Sequence, residues 1–175
     1  MHVTIRLRAG LPSLRRKETR NAIAQAFECG GDRFGFRLDQ FSLQTNHVHL
    51  IAEAEDRDAL SRGMQGLLVR IARTLNRLWR RRGSVFADRF HARALRTPRE
   101  VRAALVYVLQ NARRHGLHLL GIDPYSSGWW FDGWREKPRT VLSPTPSAAR
   151  SWLLREGWRR WGLIGLRECP GQVRP

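Results

Sequence analysis

The sequence predicts an α+β fold of the ferredoxin-like, split βαβ kind. This is an antiparallel sheet with two helices on one face, a further helix added after the last strand, and a tail rich in tryptophan and proline. Two patterns carry the prediction. Apolar residues alternate in four segments, as half-buried strands require, and recur at three- and four-residue steps in others, as amphipathic helices require. The order is strand, helix, strand, strand, helix, strand.

From His2 to Arg8, Val3, Ile5 and Leu7 alternate with Thr4, Arg6 and Arg8, the period of a first strand. From Leu14 to Glu28, Ile23, Ala26 and Phe27 sit at helical spacing, and the Gly30-Gly31 pair stops this first helix. Phe34 to Thr45 alternates again as Phe34, Phe36 and Leu38, then Phe41 and Leu43. The change of parity near Asp39 and Gln40 predicts a bulge. After a turn at Thr45-Asn46, His47 to Glu53 forms the returning strand of a hairpin. From Arg57 to Trp79, Leu60, Met64, Leu67, Leu68, Ile71, Leu75 and Leu78 mark a long amphipathic helix that Gly83 ends. Val85 to Arg96 reads as a fourth strand. Thr97 and Pro98 then supply an N-cap and a first-turn proline for a helix reaching about His115. Beyond Gly121 prolines interrupt the chain and six of its seven tryptophans occur. We therefore expect a body over 1–120 and a tail or cap over 121–175 without a core of its own, Ser147 to Arg160 forming one short helix.

The 175 residues suit one domain with an appendage, and no run of about 18 apolar residues is present to span a membrane. The first strand begins at once, with no secretory leader pattern, which points to the cytoplasm. Cys29 and Cys169 have no Cys-x-x-C partner, so neither a disulfide framework nor a zinc ribbon is expected. Charge is the most informative bulk property. The net charge is +17, and all but two of the 32 basic residues are arginine, whose planar fork suits phosphate oxygens. Between positions 57 and 115 there are 15 arginines and three acids, so a polyanion surface is expected in that third of the chain.

His47 and His49 are two apart in a strand and leave the same face of the sheet, where they can share one cation or merely hydrogen-bond on a polar surface. On the helix from Pro98, Val101, Leu105, Val108 and Leu109 form the buried stripe. Tyr107 and Asn111, four residues apart, lie off it on a face that Arg114 extends. His91 is a rival to Asn111 as a third ligand, and His2, His115 and His118 are also available. Tyr125 is the rival tyrosine, in a segment rich in proline and glycine. Arg89, Arg93 and Arg96 on the fourth strand are candidates for tracking a phosphate backbone, with a solvated face as the plain alternative. Trp129, Trp130 and Trp134 either stack unpaired bases or, as we prefer, anchor the tail.

Asn46-His47-Val48-His49-Leu50 resembles the histidine-hydrophobic-histidine motif of the single-tyrosine HUH transposases, the IS200-like group of small insertion sequences. Tyr107-Val108-Leu109-Gln110-Asn111 resembles their nucleophile-helix motif. The likeness is greatest to the REP-associated tyrosine transposases. It extends through Val85 to Leu95, Asp123 to Trp134 and the Trp152 to Trp158 segment. That resemblance implies a catalytic domain over 1–120, with His47, His49 and Asn111 as metal ligands and Tyr107 as nucleophile; Arg89, Arg93, Arg96 and Arg114 are, from their own placement, the residues expected against DNA. A phenol, with a pKa of about 10, needs a cation to polarise the phosphate it attacks. Imidazole and amide-oxygen ligands suit Mg²⁺ or Mn²⁺, although imidazoles also accept Zn²⁺.

The implied activity is cleavage and transfer of single-stranded DNA, at hairpin repeats, through a 5′-phosphotyrosine. The protein would act as a monomer or a homodimer. The alternative is a noncatalytic basic DNA- or RNA-binding protein on the same fold. The set His47, His49, Tyr107 and Asn111 discriminates, because binding does not require it. The stacking-aromatic signature of an RNA-recognition module is not evident.

Overall fold

Five strands build one antiparallel sheet in this computed structural model, which describes residues 1–30, 32–114, 116–117, 121–139 and 147–171. In chain order the elements are β1 (His2–Arg6), α1 (Lys17–Glu28), β2 (Asp32–Arg33), β3 (Phe36–Leu43), β4 (His47–Ala54), α2 (Arg57–Leu78), β5 (His91–Arg93), α3 (Pro98–Leu109) and α4 (Asn111–Arg114). In the tail, α5 (Trp152–Arg155) stands between two 3₁₀ turns, Ser127–Trp130 and Gly157–Trp161. The sheet order is β2-β3-β4-β1-β5, so β1 and β4 are central. Setting aside β2, this is the predicted ferredoxin-like order.

Side-chain alternation divides the sheet into two faces. Val3, Ile5, Val48 and Leu50 point to one side, where Ile23 and Phe27 of α1 and Met64, Leu67 and Ile71 of α2 close a core. Leu38 and Phe41 both join that core although they are three apart, because the register slips between Leu38 and Gln40. That is the bulge expected from the parity change. The opposite face carries cross-strand rows. One row runs Ser42, His49, Thr4, His91, and the next Gln40, Ile51, His2, Arg93. Over it α3 docks, packing Val101, Leu105 and Val108 in one cluster with Ile51. The capping box of Thr97 and Glu100 fixes where α3 starts.

The structure corrects the sequence reading in four places. Phe34 is not in a strand. With Gly35 it makes the tight turn between β2 and β3, both at positive φ (53° and 76°), and its ring is exposed. The fourth strand is only His91–Arg93; before it the chain bends at Ala87 and Asp88 and rejoins the β1 side at the Leu7–Phe86 bridge, where Ala87 N–H donates to Arg6 O and Arg8 N–H to Val85 O. The helix from Pro98 breaks at Gln110 (φ −112°, ψ 16°) before α4 resumes it. The cause is tertiary: the Gln110 amide donates to Gly165 O and Leu166 O, and its oxygen accepts from Arg113 Nε. Ser147 to Arg160 is not one helix, but α5 followed by a 3₁₀ turn at Gly157, where a β-carbon would press on the Trp152 ring.

The tail packs against α3. Ile122, Phe131, Trp134, Trp158 and Ile164 are buried in the same cluster as α3, so that helix is covered on two sides. Trp134 and Trp130 anchor as preferred, the first with Nε1 bonded to Gly128 O, whereas Trp129 stays exposed. The tail also lines the outer edge of β3. Leu43 N–H donates to Tyr125 O, Phe41 N–H to Ser127 Oγ and Ser147 N–H to Leu38 O. Unpaired edge groups are thereby satisfied. Arg15 clamps this arrangement from the body side with two bonds of 2.9 Å to the buried Asp123 carboxylate. No helix among the described residues is long and apolar enough to cross a membrane.

Candidate functional site

The sequence folds so that strand and helix deliver rings to one point. Hydrophobic Val48 and Leu50 hold β4 on the core and thereby turn His47 and His49 to the α3 face. Their ring centroids are 4.7 Å apart at 86°. The buried stripe of α3 sets that helix on the sheet and brings the half-buried Tyr107 ring 5.0 Å from that of His49, edge to face. His2, on β1 next to β4, closes the group at 5.4 Å from His49 and 5.5 Å from Tyr107. The Arg114 guanidinium lies 5.1 Å from the Tyr107 ring centroid.

Hydrogen bonds orient the imidazoles. Asn46 Oδ1 is 2.9 Å from His47 Nδ1, an arrangement that suits the tautomer with its proton on Nδ1 and leaves Nε2 to accept. His49 Nδ1 lies 3.1 Å from Thr4 Oγ1 and 3.3 Å from His2 Nε2. With a proton on Nδ1, which either neighbour can accept, His49 Nε2 is left as its acceptor nitrogen. Outer partners of this kind fix ring orientation in metal sites. Burial pushes the His2 imidazole down to about 4, with the Met1 ammonium and Arg93 acting in the same direction. His2 is therefore a neutral acceptor at physiological pH. Its place beside His49 was open in the sequence only as one of several spare histidines.

Asn111 is fully buried at the start of α4, and its Oδ1 and Nδ2 have no hydrogen-bond partner among the described residues. A buried amide with both ends unsatisfied is costly in a folded protein and fits a ligand such as a metal ion. The sequence set Tyr107 and Asn111 together off the buried stripe; Tyr107 is half-buried, whereas Asn111 is fully buried beyond the interruption at Gln110. Among the described residues no group of three or more His, Cys, Asp or Glu side chains is arranged to hold a metal. The donors that fit a cation are thus the two imidazoles of the motif and, of another type, the Asn111 amide.

The rivals are placed elsewhere. His91 is exposed on edge strand β5, with Thr4 between it and His49, two strand spacings or about 10 Å across the sheet. Tyr125 packs with the core under the helices, on the far side of the sheet, beneath the Arg15 guanidinium at 4.5 Å. His115 and His118 lie outside the described residues. Arg89, Arg93 and Arg96 are exposed along the β5 edge, but Arg93 is paired with Glu100 at 3.1 Å. Glu100 also accepts from the Arg96 and Thr97 backbone N–H groups. The Arg96 bond leads in holding its carboxyl below the usual range. The sequence reading did not foresee Arg15 as the residue that joins tail to body.

Three comparisons bear on this geometry. The family model described as "Transposase IS200 like" matches residues 2–111. A solved REP-associated tyrosine transposase, bound to a REP hairpin, superposes with a TM-score of 0.53 at 18% identity, over 72% of this chain and 74% of that one. Among curated proteins none matches the chain.

Proposed function

Starting from the fact that the chain belongs to the IS200-like transposase family, we propose that it cleaves and rejoins single-stranded DNA beside hairpin-forming repeats, with Tyr107 as nucleophile. The observation that carries this reading is the Tyr107 ring 5.0 Å from His49, with His47 and His2 on the same face. Simple DNA binding has no need of a phenol held against imidazoles. A hairpin is the proposed substrate because the solved relative of the same fold carries one.

His47 and His49, with the Asn111 amide oxygen, are the residues that would hold Mg²⁺ or Mn²⁺, which when bound polarises the scissile phosphate. The remaining chemistry belongs to the chain. The Tyr107 phenol oxygen forms a bond to phosphorus as the bond to the 3′ oxygen breaks, giving a 5′-phosphotyrosine. The phenol loses its proton and the departing 3′ oxygen gains one, so the step is balanced. Arg114, already against the Tyr107 ring, favours negative charge gathering on the attacked phosphoryl group. One phosphodiester replaces another, so the reverse reaction joins strands without a separate energy source. Arg89, Arg93 and Arg96 would meet the backbone along the β5 edge, Arg93 exchanging Glu100 for phosphate.

The test incubates the protein with end-labelled hairpin DNA and Mn²⁺ and resolves the products on a denaturing gel. A protein band carrying label is expected for wild type and none for Tyr107→Phe. Binding without any adduct at all would leave the protein a noncatalytic DNA-binding member of its family.

A further inference from the structure

The outer side of α3 carries a cavity that the chemistry at Tyr107 does not use. Its volume is about 490 Å³, and it opens between Arg99, Arg102 and Val106 of α3 and Arg135, Trp161 and Glu168 of the tail. Volumes in this range accommodate small organic ligands. Two of the tail's indoles behave in opposite ways here. Trp158 is 1% exposed and stacks on Phe131 at 5.5 Å, which anchors the 3₁₀ turn to α3. Trp161, three residues later in that turn, is 56% exposed. Its ring is not needed to hold the turn down.

The charges around it are sorted as well. Arg102 is fully engaged: Nε donates to Gly162 O, Nη2 to Leu163 O, and the Glu168 carboxylate accepts from both Nη atoms at 2.7 and 2.9 Å. That network makes a fixed wall and neutralises the Glu168 charge. Arg99, 5.5 Å from the Trp161 ring centroid, and Arg135, whose Nη2 donates to Leu163 O, enter no ion pair among the described residues. An open indole face with two uncompensated guanidiniums at its rim is the chemistry that takes a nucleobase and its phosphate.

Location points to which nucleotide. Arg99, Ala103 and Tyr107 follow one another at four-residue steps along α3. Eight residues at 1.5 Å each put Arg99 about 12 Å from Tyr107 along the helix axis, a reach of only a few nucleotides of the strand held at Tyr107. We propose that this cavity binds one unpaired nucleotide of the strand flanking the bond that Tyr107 attacks, the base stacked on Trp161 and the phosphate against Arg99 and Arg135. The inference rests on the DNA reading above.

The experiment uses the full chain carrying Tyr107→Phe, so that no cleavage intervenes, and a fluorescein-labelled 12-mer of thymidylate followed by anisotropy. Trp161→Ala is expected to weaken binding about tenfold, the loss of one stacked base, and Trp161→Phe less than about threefold. Arg99→Ala with Arg135→Ala should reduce the salt slope of log affinity by about 0.7 for each phosphate no longer neutralised. Thermal melting shows whether each variant is folded, and if Trp161→Ala melts early the arginine slope decides. Unchanged affinity in Trp161→Ala with an unchanged slope overturns the subsite while the Tyr107 reading stands. Equal losses in the Ala and Phe variants overturn it too, because a phenyl ring also stacks. If the parent fails to bind the 12-mer even at low salt, the subsite is overturned, and the hairpin adduct assay alone decides the DNA reading.

Discussion

Two glycines three residues apart on α2 should respond in opposite directions to the same substitution. Gly63 is buried against β3, and a β-carbon there would overlap Cβ and Cγ of Phe36. Those atoms are the root of a side chain that is itself fully buried, so no rotamer change clears them and the helix must back away from the sheet. Gly66, one turn further along and facing solvent, has nothing within 4 Å of its β-carbon position. In both places alanine gains about 0.5–1 kcal/mol of helix stability over glycine. At Gly63 the overlap falls on the root of a buried ring, so overpacking takes the upper part of its range, about 2–3 kcal/mol, for a net loss of about 1–2.5 kcal/mol. With a urea dependence of about 2 kcal/mol per molar, Gly63→Ala should lower the unfolding midpoint by about 0.5–1.2 M. Gly66→Ala should raise it by about 0.3–0.5 M. Urea titration read by far-UV circular dichroism measures both. A Gly63→Ala midpoint at or above wild type would refute the close approach of α2 to Phe36.

Three further outcomes are expected. Arg15→Ala leaves the buried Asp123 carboxylate without its partner and should cost about 3 kcal/mol, a fall of about 6–12 °C in melting temperature; a loss under about 1 kcal/mol would mean the tail is held by other contacts. Burial, then the charge of Glu53, pushes the Asp39 carboxyl up to about 9. Its contribution to stability is therefore complete below about pH 4 and is lost as pH rises towards 9. Asp39→Asn does not titrate, so its unfolding free energy in urea relative to wild type should rise from pH 5 to pH 8 by at least about 1 kcal/mol, and a constant gap would show that Asp39 is not buried as described. His47→Ala should remove the covalent adduct yet keep most of the affinity for hairpin DNA, since arginines rather than a metal supply phosphate binding; equal loss of both would indicate misfolding.

Period-two alternation was sufficient to place His47 and His49 on one face, because that face is fixed wherever the other is apolar, as Val48 and Leu50 are. The stripe of α3 likewise fixed which way Tyr107 turns. The bulge at Asp39 was legible for the same reason, as a slip in parity. Contacts at long sequence distance were not legible. Gln110 breaks its helix for the carbonyls of Gly165 and Leu166, which no local pattern announces. His2 meets His49 only because β1 is zipped to β4 in one particular register. The tail's tryptophans are spaced too irregularly for periodicity to separate the buried Trp134 and Trp158 from the exposed Trp129, Trp152 and Trp161.

The stitching of the tail along β3 bears on any attempt to whittle the protein down. A chain stopped near residue 120 would strip Tyr125, Ser127 and Ser147 from a strand whose backbone then seeks new neighbours. The fragment would also bare the flank of α3 that Trp134 and Trp158 shelter. Such a miniature would be cohesive, filling inclusion bodies or growing into ribbons. A working minimal version needs a substitute splint, such as a proline or an outward lysine on that margin, before the last fifty-odd residues are dispensed with.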